Sequence, residues 1–155
     1  MIEPGNQAPD IHLPDLDGMA FQLREALAEG TVVLAFFKVS CPTCQMTFPY
    51  LQRLVDTQTS GVQLIAISQD TAEDSREFQQ RLGVSMRTLV DARPVYAASN
   101  AYGISSVPSL FVVERDGAIS AAADGFNKTA IEDIGRLFGV TPFRETDHVP
   151  ALRPG

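Results

Sequence analysis

Tryptophan is absent from this 155-residue chain, and cysteine and histidine occur only twice each. Two cysteines leave little scope for disulfide support, and a chain of this length can bury a core without it. Basic residues are outnumbered, 12 Lys and Arg against 19 Asp and Glu, giving a formal charge of −7. That sign argues against nucleic acid or an anionic membrane as a partner. The acids are scattered and read as a solvated surface. Long apolar runs are missing too: VVLAFF, residues 32–37, falls far short of the about 20 residues a spanning helix needs. The start, MIEPGNQAPD, has neither a basic n-region nor an apolar h-region. The expectation is a cytoplasmic protein if Met1 is the natural start, and an exported one if a leader has been removed. Composition is otherwise that of a globular protein, with 45% hydrophobic and 20% charged residues. With no repeat, low-complexity tract or linker, one domain over residues 1–155 is expected, its core at about 5–138.

Strands and helices alternate along that core. TVVLAFFKV and VQLIAIS are continuous apolar runs rich in β-branched residues, as in strands buried on both faces. Between them Met46, Tyr50, Leu51, Leu54 and Val55 recur at helical spacing, predicting a helix from about Pro42 to Asp56. This is a βαβ unit, whose strands should be parallel with a right-handed crossover. A second helix is expected with Asp70 and Glu73 in its capping positions and Gly83 at its stop. A strand RTLV, a helix around Val95–Tyr102, and strands SLFVVE and AISAAAD follow. Asp116-Gly117 marks a hairpin between the last two. A final helix is predicted over Lys128–Phe138. The tail 139–155, carrying Pro142, Pro150 and Pro154 without periodicity, should lie extended on the surface.

Cys41 and Cys44 stand three apart at the start of the first long helix, which sets both sulfurs on neighbouring positions of one face. The first meets the unpaired N–H groups and positive dipole end that stabilise a thiolate. Pro42 suits the first helical turn, where its missing N–H does no harm. Cys41 is thereby placed as a nucleophile, and Cys44, one turn further in, as the group that attacks a mixed disulfide. A zinc site would need His12 and His148, neither at finger-like spacing. A haem attachment would need His after Cys44, where Gln45 stands. A structural disulfide closing so short a loop would stabilise little. Redox use is the reading the βαβ setting favours.

These landmarks together resemble the thioredoxin superfamily, in particular TlpA-like thiol–disulfide oxidoreductases and the neighbouring redoxin (AhpC-TSA) proteins. GNQAPDIHLPDLDG is similar to their N-terminal extension, VVLAFFKVSCPTCQMTFP to their active-site strand, motif and Pro49-bearing helix, and AISQD and AYGISSVPSLFVVERDG to later segments. The resemblance implies an α/β thioredoxin-like fold: a central mixed β-sheet flanked by helices, with an N-terminal β-hairpin. It also implies a cis Pro108 facing the cysteines, substrate contacts from Val107, Pro108, Pro42 and Thr43, and no cofactor or metal. The implied partners are a disulfide-containing protein or small molecule and a thiol electron donor.

Departures from the pattern matter as well. Ser40 replaces the tryptophan that thioredoxins carry before the first cysteine, and Ala35 replaces their buried acid. Thr47 stands where many TlpA-like proteins place Glu, so neither usual proton acceptor is present. Three activities follow in order of expectation: disulfide exchange, with reduction as its direction; peroxide turnover, with Cys41 peroxidatic and Cys44 resolving; and copper carriage without catalysis. Lys38, where peroxiredoxins have Thr, argues against the second. The absence of a His in a recognisable ligand context argues against the third.

Overall fold

The run VVLAFF forms the middle strand of a five-stranded sheet, and every one of its residues is buried. The computed structural model describes residues 1–58 and 60–155. In chain order its elements are β1 (His12–Pro14), β2 (Ala20–Gln22), α1 (Leu23–Leu27), β3 (Val32–Phe37), α2 (Pro42–Thr57), β4 (Gln63–Ser68), α3 (Ala72–Leu82), β5 (Thr88–Val90), α4 (Ala97–Ala101), β6 (Ser109–Val113), β7 (Ile119–Asp124), β8 (Phe126–Asn127), α5 (Lys128–Phe138) and β9 (Leu152–Arg153). The sheet order is β5-β4-β3-β6-β7, with β3–β4 and β4–β5 parallel and β3–β6 and β6–β7 antiparallel. This is the mixed sheet expected, and β1 and β2 make the expected N-terminal hairpin.

Successive strand residues point to opposite faces, and the two phenylalanines that end β3 show what covers each. Phe37 packs on Phe48 of α2 and Phe78 of α3, with ring centroids 4.6 and 4.7 Å away. Phe36 meets Tyr102, just after α4, and Phe111 of β6, at 5.4 and 5.8 Å. The sheet is therefore flanked on both faces, with aromatic packing directly beneath the end of β3 that leads into the cysteines.

Both sheet edges are partly closed by the first 16 residues. Gly5 N–H donates to the Ile119 carbonyl, Ile119 N–H to that of Asn6, and Ala8 N–H to that of Gly117, alongside the start of β7. At the other edge Leu16 N–H donates to the Thr88 carbonyl of β5.

Several expectations need correction. Thr71, not Asp70, caps α3, its hydroxyl accepting from Asp74 N–H. Asp70 lies two residues beyond β4, where its carboxylate accepts from Val39 N–H at 2.9 Å. The helix expected over Val95–Tyr102 is shorter because Tyr96 adopts a left-handed φ of 45°, and Asp91 caps it from the preceding loop through Ala98 and Ser99 N–H. The last helix matches its predicted bounds, capped by Asn127 and ended by Gly139 in the left-handed conformation. The tail is more than an extended surface segment. Phe143 packs between Tyr50 and Phe126, Arg53 binds Asp147 through two contacts of 2.6 and 3.3 Å, and β9 pairs with β8.

Candidate active site

The chain leaves β3 into residues 38–41, and three hydrogen bonds hold that loop. Val39 N–H donates to Asp70, the Gln45 side-chain amide donates to Val39 C=O at 2.9 Å, and Cys41 N–H donates to Lys38 C=O at 3.3 Å. Cys41 is thereby set as the N-cap of α2, with Pro42 in the first turn. Its sulfur accepts from Cys44 N–H at 3.1 Å. An N-cap satisfies one of the amides that a helix leaves unpaired, and here the capping atom is a sulfur. Electron density on that sulfur meets a donor and the positive end of a 16-residue helix.

The two thiols are free and differ in access: Cys41 is half-buried and Cys44 fully buried. Burial, reinforced by the neighbouring Cys41 sulfur, pushes the Cys44 thiol well above its ordinary value. Neither position of the missing acids carries a carboxylate. Ala35 is buried in the sheet, and the buried Thr47 hydroxyl donates to the Thr43 carbonyl at 2.7 Å within its own helix. Lys38 and Ser40 are exposed. Asp70 is the residue sequence reasoning assigned elsewhere; it acts on the loop through Val39, and its carboxylate contributes to the upward push on Cys44.

Val107–Pro108 is cis, as the resemblance implied, and a second cis bond, Arg93–Pro94, was not anticipated. Pro108 is buried ahead of β6, and the Val107 carbonyl lies 3.4 Å from the Cys41 sulfur, which donates to it. Of the six residues singled out, Cys41, Cys44, Thr43, Val107 and Pro108 gather at one point of the fold, while Pro42 stands exposed on its rim. Thr43 is not open to solvent. It is 3% exposed, and its hydroxyl donates to the Pro154 carbonyl of the tail at 2.8 Å.

Residues 4–122 match the AhpC/TSA family. The chain belongs to this family. Among its relatives is the thiol-disulfide oxidoreductase ResA of Halalkalibacterium halodurans, 29% identical over 140 residues, spanning 88% of this chain and 78% of ResA. A Mycobacterium tuberculosis relative, named provisionally as a peroxiredoxin, is 29% identical over 147 residues, spanning 88% of this chain and 92% of the relative. The thioredoxin domain of a thiol-disulfide oxidoreductase from Bacteroides vulgatus superposes with a TM-score of 0.75 at 20% identity, covering 89% of this chain and 99% of that one. That likeness establishes the thioredoxin-like fold. Within this AhpC/TSA chain no helix among the described residues is long and apolar enough to cross a membrane.

Proposed function

We propose that the protein is a thiol–disulfide oxidoreductase whose reacting groups are Cys41 and Cys44. The observation that carries this reading is the Cys41 sulfur: accessible, capping a helix, bonded by Cys44 N–H, and 3.4 Å from the backbone of Val107. The names of its ResA relatives point the same way.

The Cys41 thiolate attacks one sulfur of a disulfide R–S–S–R′. A Cys41–S–S–R bond forms, the S–S bond of the partner breaks, and R′–S⁻ leaves with the electron pair. Cys44 then passes its proton, through water, to the departed R′–S⁻ and attacks the Cys41 sulfur, forming the Cys41–Cys44 disulfide and releasing R–S⁻ with the electron pair of the broken S–S bond. Two electrons have passed to the partner, and an external thiol donor restores the pair. Because the Cys44 thiol is held protonated by burial, its deprotonation is the demanding part of the second step. Reduction is the proposed direction, since Pro42 and Thr43 between the cysteines bring no charge or imidazole to favour the thiolate of a strong oxidant.

The test uses oxidised insulin with the wild type and two variants on non-reducing gels. Wild type should reduce insulin, Cys44→Ser should accumulate a covalent adduct, and Cys41→Ser should do neither. If Cys44→Ser captures nothing while the wild type consumes hydrogen peroxide rapidly, the peroxidase reading replaces this one.

A further inference from the structure

The tail crosses Thr43 and Val107, beside the cysteines. From α5 the chain passes Phe143, seated 4.8 Å from the Tyr50 ring and 5.9 Å from that of Phe126, and reaches Asp147, bound to Arg53 of α2. Ala151 C=O accepts from Lys128 N–H, and Leu152–Arg153 pair with Phe126–Asn127. Pro154 C=O then accepts from the Thr43 hydroxyl, and Gly155 lies against the backbone of Val107. A side chain at Gly155 would collide with the Val107 carbonyl oxygen, so the contact as it stands needs glycine. Thr43 and Val107, two of the residues expected to receive substrate, are covered at 3% and 8% exposure. The segment above them is itself exposed, with Leu152 68% exposed.

We propose that residues 151–155 are a displaceable strap that occupies the channel for an extended disulfide-bearing partner, so that such a partner must dislodge it to engage Val107 and reach Cys41. This rests on the thiol–disulfide reading above. The contacts divide unevenly, which is what a strap requires. The anchor, 143–147, combines an aromatic cluster with a two-contact ion pair. The covering part, each residue of which is exposed, is held by polar contacts: the Thr43 hydroxyl on Pro154, Lys128 N–H on Ala151 C=O, Arg153 against the Met46 sulfur, and a two-residue strand pairing. Cys41 itself stays half-exposed, so small reagents have access while an extended chain does not. The strap acts as an internal competitor: it scales the apparent affinity for peptides by the fraction of molecules in which it is open, and leaves chemistry after docking unchanged.

Two variants release it from opposite ends. Gly155→Val removes the fit against Val107, and Asp147→Asn weakens the anchor; neither touches the cysteines. The first probe is alkylation of Cys41 by a maleimide carried on an extended peptide, against iodoacetamide as the small reagent. Both variants should speed the peptide probe by about threefold to tenfold and change iodoacetamide by less than about twofold. With a disulfide-bearing peptide, KM should fall by the same factor at unchanged kcat. In Cys44→Ser with the peptide captured, the Lys128 amide should exchange faster than in the free protein. Equal peptide-probe rates in wild type and both variants, or a higher KM on release, would overturn the strap. Because alkylation needs no exchange activity, a wild type inactive towards disulfides defeats the functional reading and leaves the strap to be judged by the probe alone.

Discussion

The Cys41 sulfur lies 3.4 Å from the carbonyl oxygen of Val107, 66 positions along the chain. The distance depends on how the loop after β3 is held, and Asp70, just beyond β4, is one of the groups that hold it. Asp70→Ala strands a half-buried Val39 N–H and should cost about 1–3 kcal/mol, read by urea unfolding. Asp70→Asn keeps an acceptor and should cost less. Asp70→Ala should slow insulin reduction through the loosened loop, whereas Asp70→Asn, which keeps the acceptor and removes a charge that opposes Cys44 deprotonation, should not. Activity unchanged in the Ala variant would show that the loop is fixed without Asp70.

A second outcome concerns alkaline pH. Burial raises the Cys44 thiol in the folded state, so the neutral form is bound to folding and the unfolded chain releases its proton first. Stability is then full below the ordinary thiol value of about 8.5 and falls as pH rises beyond it, by up to about 1.4 kcal/mol per unit. The buried Tyr102 adds to the decline from about pH 10 for the same reason. Urea unfolding of the reduced protein at successive pH values measures the slope. Cys44→Ala should start less stable yet lose less stability above pH 8.5; equal slopes would refute the assignment.

Acid should act on the strap. Arg53, helped by the Arg144 N–H, holds the Asp147 carboxyl at about 2, below its ordinary range. Its contribution is present above about pH 4 and lost as pH falls towards 2. Lys128 amide protection should fall across that window in the wild type. In Asp147→Asn it should be weaker at neutral pH and flat across the window.

Phe48 tests the packing beneath the site, since its ring meets both Phe37 and Phe78. Phe48→Ala should lose about 3–5 kcal/mol in urea unfolding. A loss under about 1 kcal/mol would mean that the cluster repacks into the space.

Where local chemistry decided the structure, the sequence could be read directly. VVLAFF carries its own burial signal, and Asn127 and Gly139 bracket α5 with the residue types that helix ends demand. The cysteines were legible from their spacing at a helix start in a βαβ setting, and Pro108 through the resemblance of whole segments. What escaped depends on distant partners. Asp70 and Thr71 are adjacent and both able to cap; the choice between them is made by Val39, 31 positions away. Asp147 bonds Arg53 across 94 positions and Pro154 bonds Thr43 across 111, in a segment with no period to reveal which face it presents. A surface tail and a strap look alike until the fold brings α2 beneath them.

The N-terminal residues that flank the sheet bear on how copies of this chain meet in solution. Strands at a sheet margin present unpaired N–H and C=O groups that can template edge-to-edge aggregation. Residues 5–8 cover the start of β7, and residues 15 and 16 engage β5 at Leu89 and Thr88. Among the described residues, the outer edge of the central sheet is left open along 120–124, a run of serine, three alanines and an aspartate. Strand addition at β7 would thus meet one short, weakly apolar margin, on a strand that does not carry the cysteines.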